Sequence, residues 1–185
     1  EHASRFTDPN PVDIFGMADR AAAFMEKNSK AKRPFFIQMS WNALHASENA
    51  LKVTLAKYEQ QMKGENSKRI TTAAITEDLD TGVGRVMDVK SEGKRKVAVI
   101  GLGAGTMAAF GKEGDEYHFY EINPQMVWVA ENEFSYLRDS KAKITISMGD
   151  ARLSLEREDS HNFGVMVIDA FSSDSVPMHL MSAEA

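Results

Sequence analysis

Gly101, Gly103 and Gly105 punctuate the stretch Lys96-Val-Ala-Val-Ile-Gly-Leu-Gly-Ala-Gly-Thr106. Glycines at this spacing let backbone N–H groups approach a nucleotide-like ligand, because no side chain intervenes and positive φ is open to them. Sixteen positions after Gly105 stands Glu121, a carboxylate able to accept hydrogen bonds from both hydroxyls of a ribose. Two further acids follow: Asp150 in Gly149-Asp-Ala151, and Asp169 after Phe163-Gly-Val-Met-Val-Ile168. Alone, a G-x-G-x-G run is also what an ordinary strand-to-helix turn contains. The acids downstream favour a ligand.

Such residues need a sheet beneath them. Val97 to Ile100 predicts a buried strand that breaks into the glycine turn, with an apolar helix pattern from Thr106. Tyr117-His-Phe-Tyr-Glu121 predicts a second strand, and Asn123-Pro124 caps and opens a helix after it. Ile144-Thr-Ile146 predicts a third strand and Phe163 to Ile168 a fourth. Three of these strands end in glycine or acid on one expected edge, the carboxyl edge where open α/β sheets bind ligands. The expected fold class is α/β.

The chain has 185 residues, room for one domain or two small ones. Its net charge of −5 is mixed along the length, which argues against a general nucleic-acid binder. With no cysteine, the chain has no disulfide, thiolate metal site or cysteine nucleophile. No apolar run approaches membrane-spanning length, and no secretory signal pattern opens the sequence. Glu1-His-Ala-Ser4 and Met181-Ser-Ala-Glu-Ala185 read as cut ends.

In the N-terminal half, Asn10-Pro11 predicts a helix start with Asn10 as cap. Ile14, Met17, Ala18, Ala21, Ala22 and Met25 then share one face. Phe35-Phe-Ile-Gln-Met39 predicts a buried strand, with Trp41 to His45 as the loop beyond it. Leu51, Leu55, Tyr58 and Met62 keep helical spacing, as do Ile75, Leu79, Val83, Val86 and Met87. Ser91 to Lys96, short and charged with Gly93, reads as a boundary, giving domains 1–90 and 91–185.

Asp8-Pro-Asn-Pro11, Pro34-Phe-Phe-Ile-Gln-Met-Ser40, His45 and Thr76-Glu-Asp-Leu-Asp-Thr-Gly-Val-Gly-Arg85 together resemble an internal piece of the sulfatase family, over residues 8–90. The resemblance implies an alkaline phosphatase-like α/β fragment in which His45 would reach a sulfate group. It also requires a nucleophile in a Cys/Ser-x-Pro-x-Arg setting and carboxylates around a divalent cation. The chain has no such Ser or Cys, and it changes into the glycine-rich module where the family's metal-binding Asp-Asn pair would follow. His45 is therefore expected to be vestigial, with no metal bound. Asp78 and Asp80 read as a solvated helix face.

Ala98-Val-Ile-Gly-Leu-Gly-Ala-Gly-Thr106, Tyr120-Glu-Ile-Asn-Pro124, Gly149-Asp-Ala-Arg152 and Asp169-Ala-Phe-Ser-Ser-Asp-Ser-Val-Pro-Met-His-Leu180 together resemble the spermidine/spermine synthase-like group of methyltransferase-fold proteins. The resemblance implies a partial Rossmann-like methyltransferase sheet over residues 95–185, continued by further strands in the family. It implies an S-adenosyl donor, S-adenosylmethionine or its decarboxylated form, and an amine acceptor. Gly101, Gly103 and Gly105 would line the donor's methionine side, Glu121 its ribose, and Asp150 its adenine amino group, with Ala151 beside it. The family carries Asp-Ser-Ser-Asp-Pro after the fourth strand, whereas here Asp169 and Asp174 stand two positions further apart. A carboxylate there would orient a protonated amine and accept its proton. Asp174 is the candidate base and Asp169 the candidate for binding the cationic substrate. The plain alternative is that Asp169 caps a loop and Asp174 starts a helix.

His118 reads as a packed strand residue, His161 as part of a polar turn and His179 as a final-helix residue with nothing nearby to complete a metal set. The methionines read as core, and Trp128 as helix packing. The leading function is aminopropyl-type transfer from an adenosyl donor. The alternatives are a sulfuric-ester hydrolase fragment and a non-catalytic fused gene fragment. The first reading implies a cytoplasmic setting, the second an exported ancestor. An open strand edge in the C-terminal half implies marginal stability or self-association.

Overall fold

The computed structural model describes residues 8–39, 41, 49–89, 93–170 and 177–181. The chain divides into two compact units, Glu1–Lys90 and Ser91–Ala185.

The described part of unit 1 is helical. α1 (Ile14–Lys30) buries Ile14, Ala18 and Ala21 of the predicted face, with Phe15 added from outside it, while Met17, Ala22 and Met25 are half-buried. Asn10 does not cap at the position expected. A 3₁₀ turn, Pro11–Asp13, comes first, and the backbone bends left-handed at Val12 (φ 43°) and Asp13 (φ 59°) before α1 begins. The Asn10 carboxamide oxygen then accepts from Gly16 N–H at 3.0 Å, so it caps the helix one turn further on. α2 (Lys52–Gln61) and α3 (Ser67–Met87) follow. Asn66 caps α3 through Arg69 N–H at 3.0 Å. Val12, Ile14, Phe15 and Ile75 form the core, with Trp41, Ala50, Leu51 and Leu79 against it.

Two expectations for this unit are corrected. Phe35–Met39 is not a strand, and Phe36 is 66% exposed. A lone apolar run has no ladder to join, and no other strand lies among the described residues of unit 1. Asp78 is not on a solvated face. It is buried, and its carboxylate accepts from Leu51 N–H at 2.6 Å and Thr54 Oγ1–H at 2.7 Å. It thereby caps the start of α2, which has no capping side chain of its own. Asp80 is exposed, as expected.

Unit 2 is a four-stranded, all-parallel sheet flanked by short helices. The strands are β1 (Lys96–Ile100), β2 (Glu116–Glu121), β3 (Lys143–Met148) and β4 (Val165–Ile168). Their spatial order is β3-β2-β1-β4. This is the order of a Rossmann-like half, in which the chain steps from β1 to β2 to β3 and then returns to the other side of β1. The rule of right-handed crossovers puts the last connection on the opposite face from the first two. Accordingly α6 (Ala151–Arg157) packs Ala151 and Leu155 against Ala98, Ile100 and Tyr120. Val97, Val99, Tyr117 and Phe119 are the buried residues of the other face. α4 (Pro124–Asn132) is capped by Asn123, whose side chain accepts from Gln125 N–H at 2.9 Å, and α5 (Tyr136–Asp139) follows.

The α-helix expected from Thr106 is a five-residue 3₁₀ helix, Thr106–Phe110. Fifteen residues, 101–115, join β1 to β2. The glycine turn and the turn at 111–115 use most of them, so no longer helix fits. At the amino end of the sheet Arg95 and Asp115 form a buried ion pair, with Arg95 Nε donating to Asp115 Oδ2 at 2.9 Å. Asp115 also accepts from the backbone N–H of Arg95 and of Lys112, each at 3.0 Å. The methionines are not uniformly core: Met148, Met166, Met178 and Met181 are exposed. Trp128 is 57% exposed and does not pack as expected.

Candidate functional site

The carboxyl edge of the sheet is laced together one residue past the strand ends. Gly149 N–H donates to Glu121 O at 2.9 Å, Gly101 N–H to Tyr120 O at 2.9 Å, and Asp169 N–H to Ile100 O at 2.8 Å. The strand order therefore sets a row along the edge: Asp150 after β3, Glu121 closing β2, the glycine turn after β1, and Asp169 after β4. Neighbouring strands lie about 4.8 Å apart, so three steps separate Asp150 from Asp169 by about 14 Å. The point where strand order reverses, between β1 and β4, lies within this row.

The glycine turn is shaped at two positions. Gly101 has φ 95°, and a Cβ there would overlap the carbonyl oxygen of Asp169. Only glycine allows β1 and β4 to leave the sheet so close together. Gly103 has φ 52°, is exposed, and a Cβ there would meet nothing within 4 Å. The turn thus presents bare backbone to open space at Gly103. Gly105 is tucked against Leu137.

Glu121 is 8% exposed and anchors this turn. Its Oε2 accepts from Leu102 N–H at 2.9 Å and its Oε1 from Asn123 N–H at 2.8 Å. A carboxylate oxygen has two acceptor sites, so each oxygen has capacity for one bond beyond these. Sequence reasoning found the acid but not its grip on the turn.

Asp150 caps α6, with Oδ1 accepting from Leu153 N–H at 3.0 Å. That bond holds its carboxyl below the usual carboxylate range, and His179 adds to the effect. His179 Nε2 stands 3.1 Å from Asp150 Oδ2. No spacing signal in the sequence joins these two residues. Ala151 is 6% exposed and its methyl packs in the core rather than lining the edge. Asp169 keeps solvent access, yet the atoms crowded round its carboxylate raise its pKa through desolvation. Asp174 and His45 lie outside the described residues.

Beneath the edge, on the α6 face, a polar network also went unforeseen. His118 Nε2 is 2.7 Å from Ser147 Oγ, and its ring stacks on Tyr120 at 4.6 Å. The Tyr120 hydroxyl donates to Glu158 at 2.7 Å, and His161 Nε2 is 3.0 Å from the same carboxylate. Burial raises the Tyr120 pKa, and Glu158 raises it further.

Another cavity lies elsewhere. About 550 Å³ in volume, it lies in unit 1 beside Asn10, Phe15, Asp78 and Arg85. Its polar groups are already engaged: Arg85 bonds Asp19 at 3.1 Å and covers the Phe15 ring, while Asp78 holds α2. Size alone does not make it the site.

Among the described residues no group of three or more His, Asp or Glu side chains is arranged to hold a metal ion. No helix among them is long and apolar enough to cross a membrane. No family model, no curated protein and no solved structure matches this chain.

Proposed function

We propose that unit 2 binds an S-adenosyl donor along its carboxyl edge and serves group transfer from that donor to an amine. One observation carries the reading. The order of groups along the edge is Asp150, Glu121, glycine turn, Asp169. The order of parts along the donor is adenine, ribose, methionine-derived chain, with the sulfonium next to the last. Laid over the edge, each part meets the residue type suited to it. Asp150 accepts from the adenine amine, Glu121 from the ribose hydroxyls, and bare backbone at Gly103 lies against the chain. Asp169 then stands past the glycine turn, on the side from which a cationic amine would approach.

The charge of the edge points the same way. Three carboxylates suit hydroxyls and cations. A pyrophosphate would instead need a helix N-terminus over the glycine turn, and the 3₁₀ helix there is too short to carry much dipole. The dinucleotide pattern G-x-G-x-x-G also has Thr106 at its last position.

In the transfer proposed, the amine nitrogen attacks the propyl carbon bonded to sulfur. The C–S bond breaks, methylthioadenosine leaves with the electron pair, and the amine gives up one proton. Asp169 orients the amine and Asp174 is the proposed proton acceptor. The sulfonium is already a good leaving group, so positioning supplies much of what remains.

Calorimetry with S-adenosylmethionine, its decarboxylated form and NAD tests the reading. Binding of a sulfonium compound, weakened about ten-fold or more in Glu121→Gln, is expected. Binding of NAD and of neither sulfonium compound would overturn it.

A further inference from the structure

α1 ends in a locked turn. Lys32 is left-handed (φ 52°), its N–H donates to Ser29 O at 2.9 Å, and Arg33 N–H donates to Asn28 O at 3.0 Å. These are the two crossed bonds of a Schellman cap, and Pro34 just beyond them cannot continue a helix. The cap turns the chain back on α1. The Phe35 ring thereby meets the Phe24 ring edge to face, with centroids 5.8 Å apart and planes at 86°. That contact does not bury them. Phe24 is 45% exposed and Phe35 39%, and Phe36 follows, more exposed still.

The same corner is basic. Lys27 lies one turn along α1 from Phe24, on the same face, and Lys30, Lys32 and Arg33 follow it through the cap. All four are exposed. Among the described residues only Lys30 of the four pairs with a carboxylate, Glu26 at 3.7 Å. No Asp or Glu stands between Glu26 and Glu48, in a chain whose net charge is −5. The helix dipole favours cations in the last turn, Lys27 and Lys30, but gives no reason for three phenylalanines in water beside them.

We infer that this corner docks unit 1 on an anionic lipid surface. Phe35 and Phe36 enter the headgroup layer, and the four cations meet the headgroup charges. Such a surface offers both things the corner lacks, an apolar boundary for the rings and negative charge for the cations. A second copy of the corner would set cations against cations. Single-stranded nucleic acid would want parallel open ring faces, and the perpendicular Phe24–Phe35 pair does not offer them. The surface lies wholly in unit 1 and is independent of the adenosyl reading.

Sedimentation of the full chain with vesicles tests this. Phosphatidylcholine vesicles with about 30% phosphatidylserine are expected to carry the chain down, and phosphatidylcholine alone is not. Raising salt from about 0.1 M to about 0.5 M should release it. Lys32→Gln with Arg33→Gln should weaken binding about twenty-fold, at about five-fold per cation. Phe36→Ser keeps the charge and should weaken binding about ten-fold. Lys63→Gln with Lys68→Gln removes the same charge at the start of α3 and the turn before it, and should leave binding near that of the parent. All these side chains are exposed, so an unchanged circular dichroism spectrum is expected throughout. Sedimentation with neither vesicle, binding indifferent to Phe36→Ser, or an equal loss from both charge pairs overturns the inference. So does tighter binding of poly(U) than of the vesicles, which would make the corner a nucleic-acid surface.

Discussion

Val97–Ile100 in unit 2 and Phe35–Met39 in unit 1 are both short apolar runs, and only the first is a strand. The difference lies in what stands beside them. β1 has β2 on one side and β4 on the other, each supplying a parallel ladder. The run in unit 1 has no strand among the described residues to pair with. The two units also use a buried aspartate differently. Asp78 caps a neighbouring helix by accepting from a backbone N–H and a hydroxyl, and Asp115 neutralises an arginine. Hydrophobic sequence alone does not make a sheet, and an acid inside a protein takes its role from the donors nearby.

The largest effect expected from breaking this comparison is in unit 2. Asp115→Ala leaves the Arg95 guanidinium buried without its carboxylate and should cost about 3–5 kcal/mol. Each unit has one of the two tryptophans, Trp41 and Trp128, so a Trp41→Phe background reports unit 2 and a Trp128→Phe background unit 1. Urea unfolding should show the loss at Trp128 alone. Asp78→Ala should cost less, about 1–3 kcal/mol, at Trp41, because two donors lose an acceptor but no charge is stranded. Equal effects on both signals would mean that the units do not unfold separately. The Asp115 contribution also depends on pH. Burial alone would raise its pKa, but Arg95 and the backbone N–H donors outweigh this and lower it. Its stabilisation is therefore complete above the ordinary value of 3.8 and is lost as pH falls through the lower folded value.

A smaller effect separates two glycines of one turn. Gly101→Ala meets the Asp169 carbonyl and should cost about 2 kcal/mol or more, loosening β4 from β1. Gly103→Ala meets nothing and should cost about 1 kcal/mol for its left-handed backbone. Donor binding should reverse the order of importance. A methyl at Gly103 occupies the open space assigned to the ligand, so a stable Gly103→Ala protein should bind less. Similar losses of stability in the two variants would contradict the close approach at Gly101.

What was legible in the sequence was whatever neighbouring residues impose on one another. The glycine turn, the acid at the end of β2 and the Asn123-Pro124 helix start all sit where their local patterns predict. The parallel sheet follows from strands spaced far enough apart for crossovers. What was not legible depended on distant partners. Asp78 reaches Leu51 and Thr54 across 27 and 24 positions, and His179 reaches Asp150 across 29. The short helix after Gly105 could have been found by counting residues, since 101–115 must hold two turns as well. The exposed Trp128 and Met178 carry no spacing signal that distinguishes them from core.

The smallest effect expected concerns histidine. Unit 2 holds three of the chain's five histidines, His118, His161 and His179, and unit 1 holds His2 and His45. His118 is the one held most firmly by its surroundings, stacked on Tyr120 and bonded to Ser147. Burial pushes its imidazole below the ordinary value of 6.5, Glu158 opposes this, and His161 adds to it. A histidine whose folded pKa is depressed binds fewer protons in the native state than in the unfolded one. Its stabilisation is therefore complete above pH 6.5 and is lost as pH falls toward and through the folded value. Unit 2, followed at Trp128, should lose stability between about pH 7 and pH 5. His118→Gln keeps a polar partner for Ser147 without the titration, so it should flatten the unit 2 profile. A control in His179→Gln should not, because that pair is exposed at the edge and not under the sheet. A profile as steep in His118→Gln as in the parent chain would show that the network beneath β2 is not what gives unit 2 its sensitivity to mild acid.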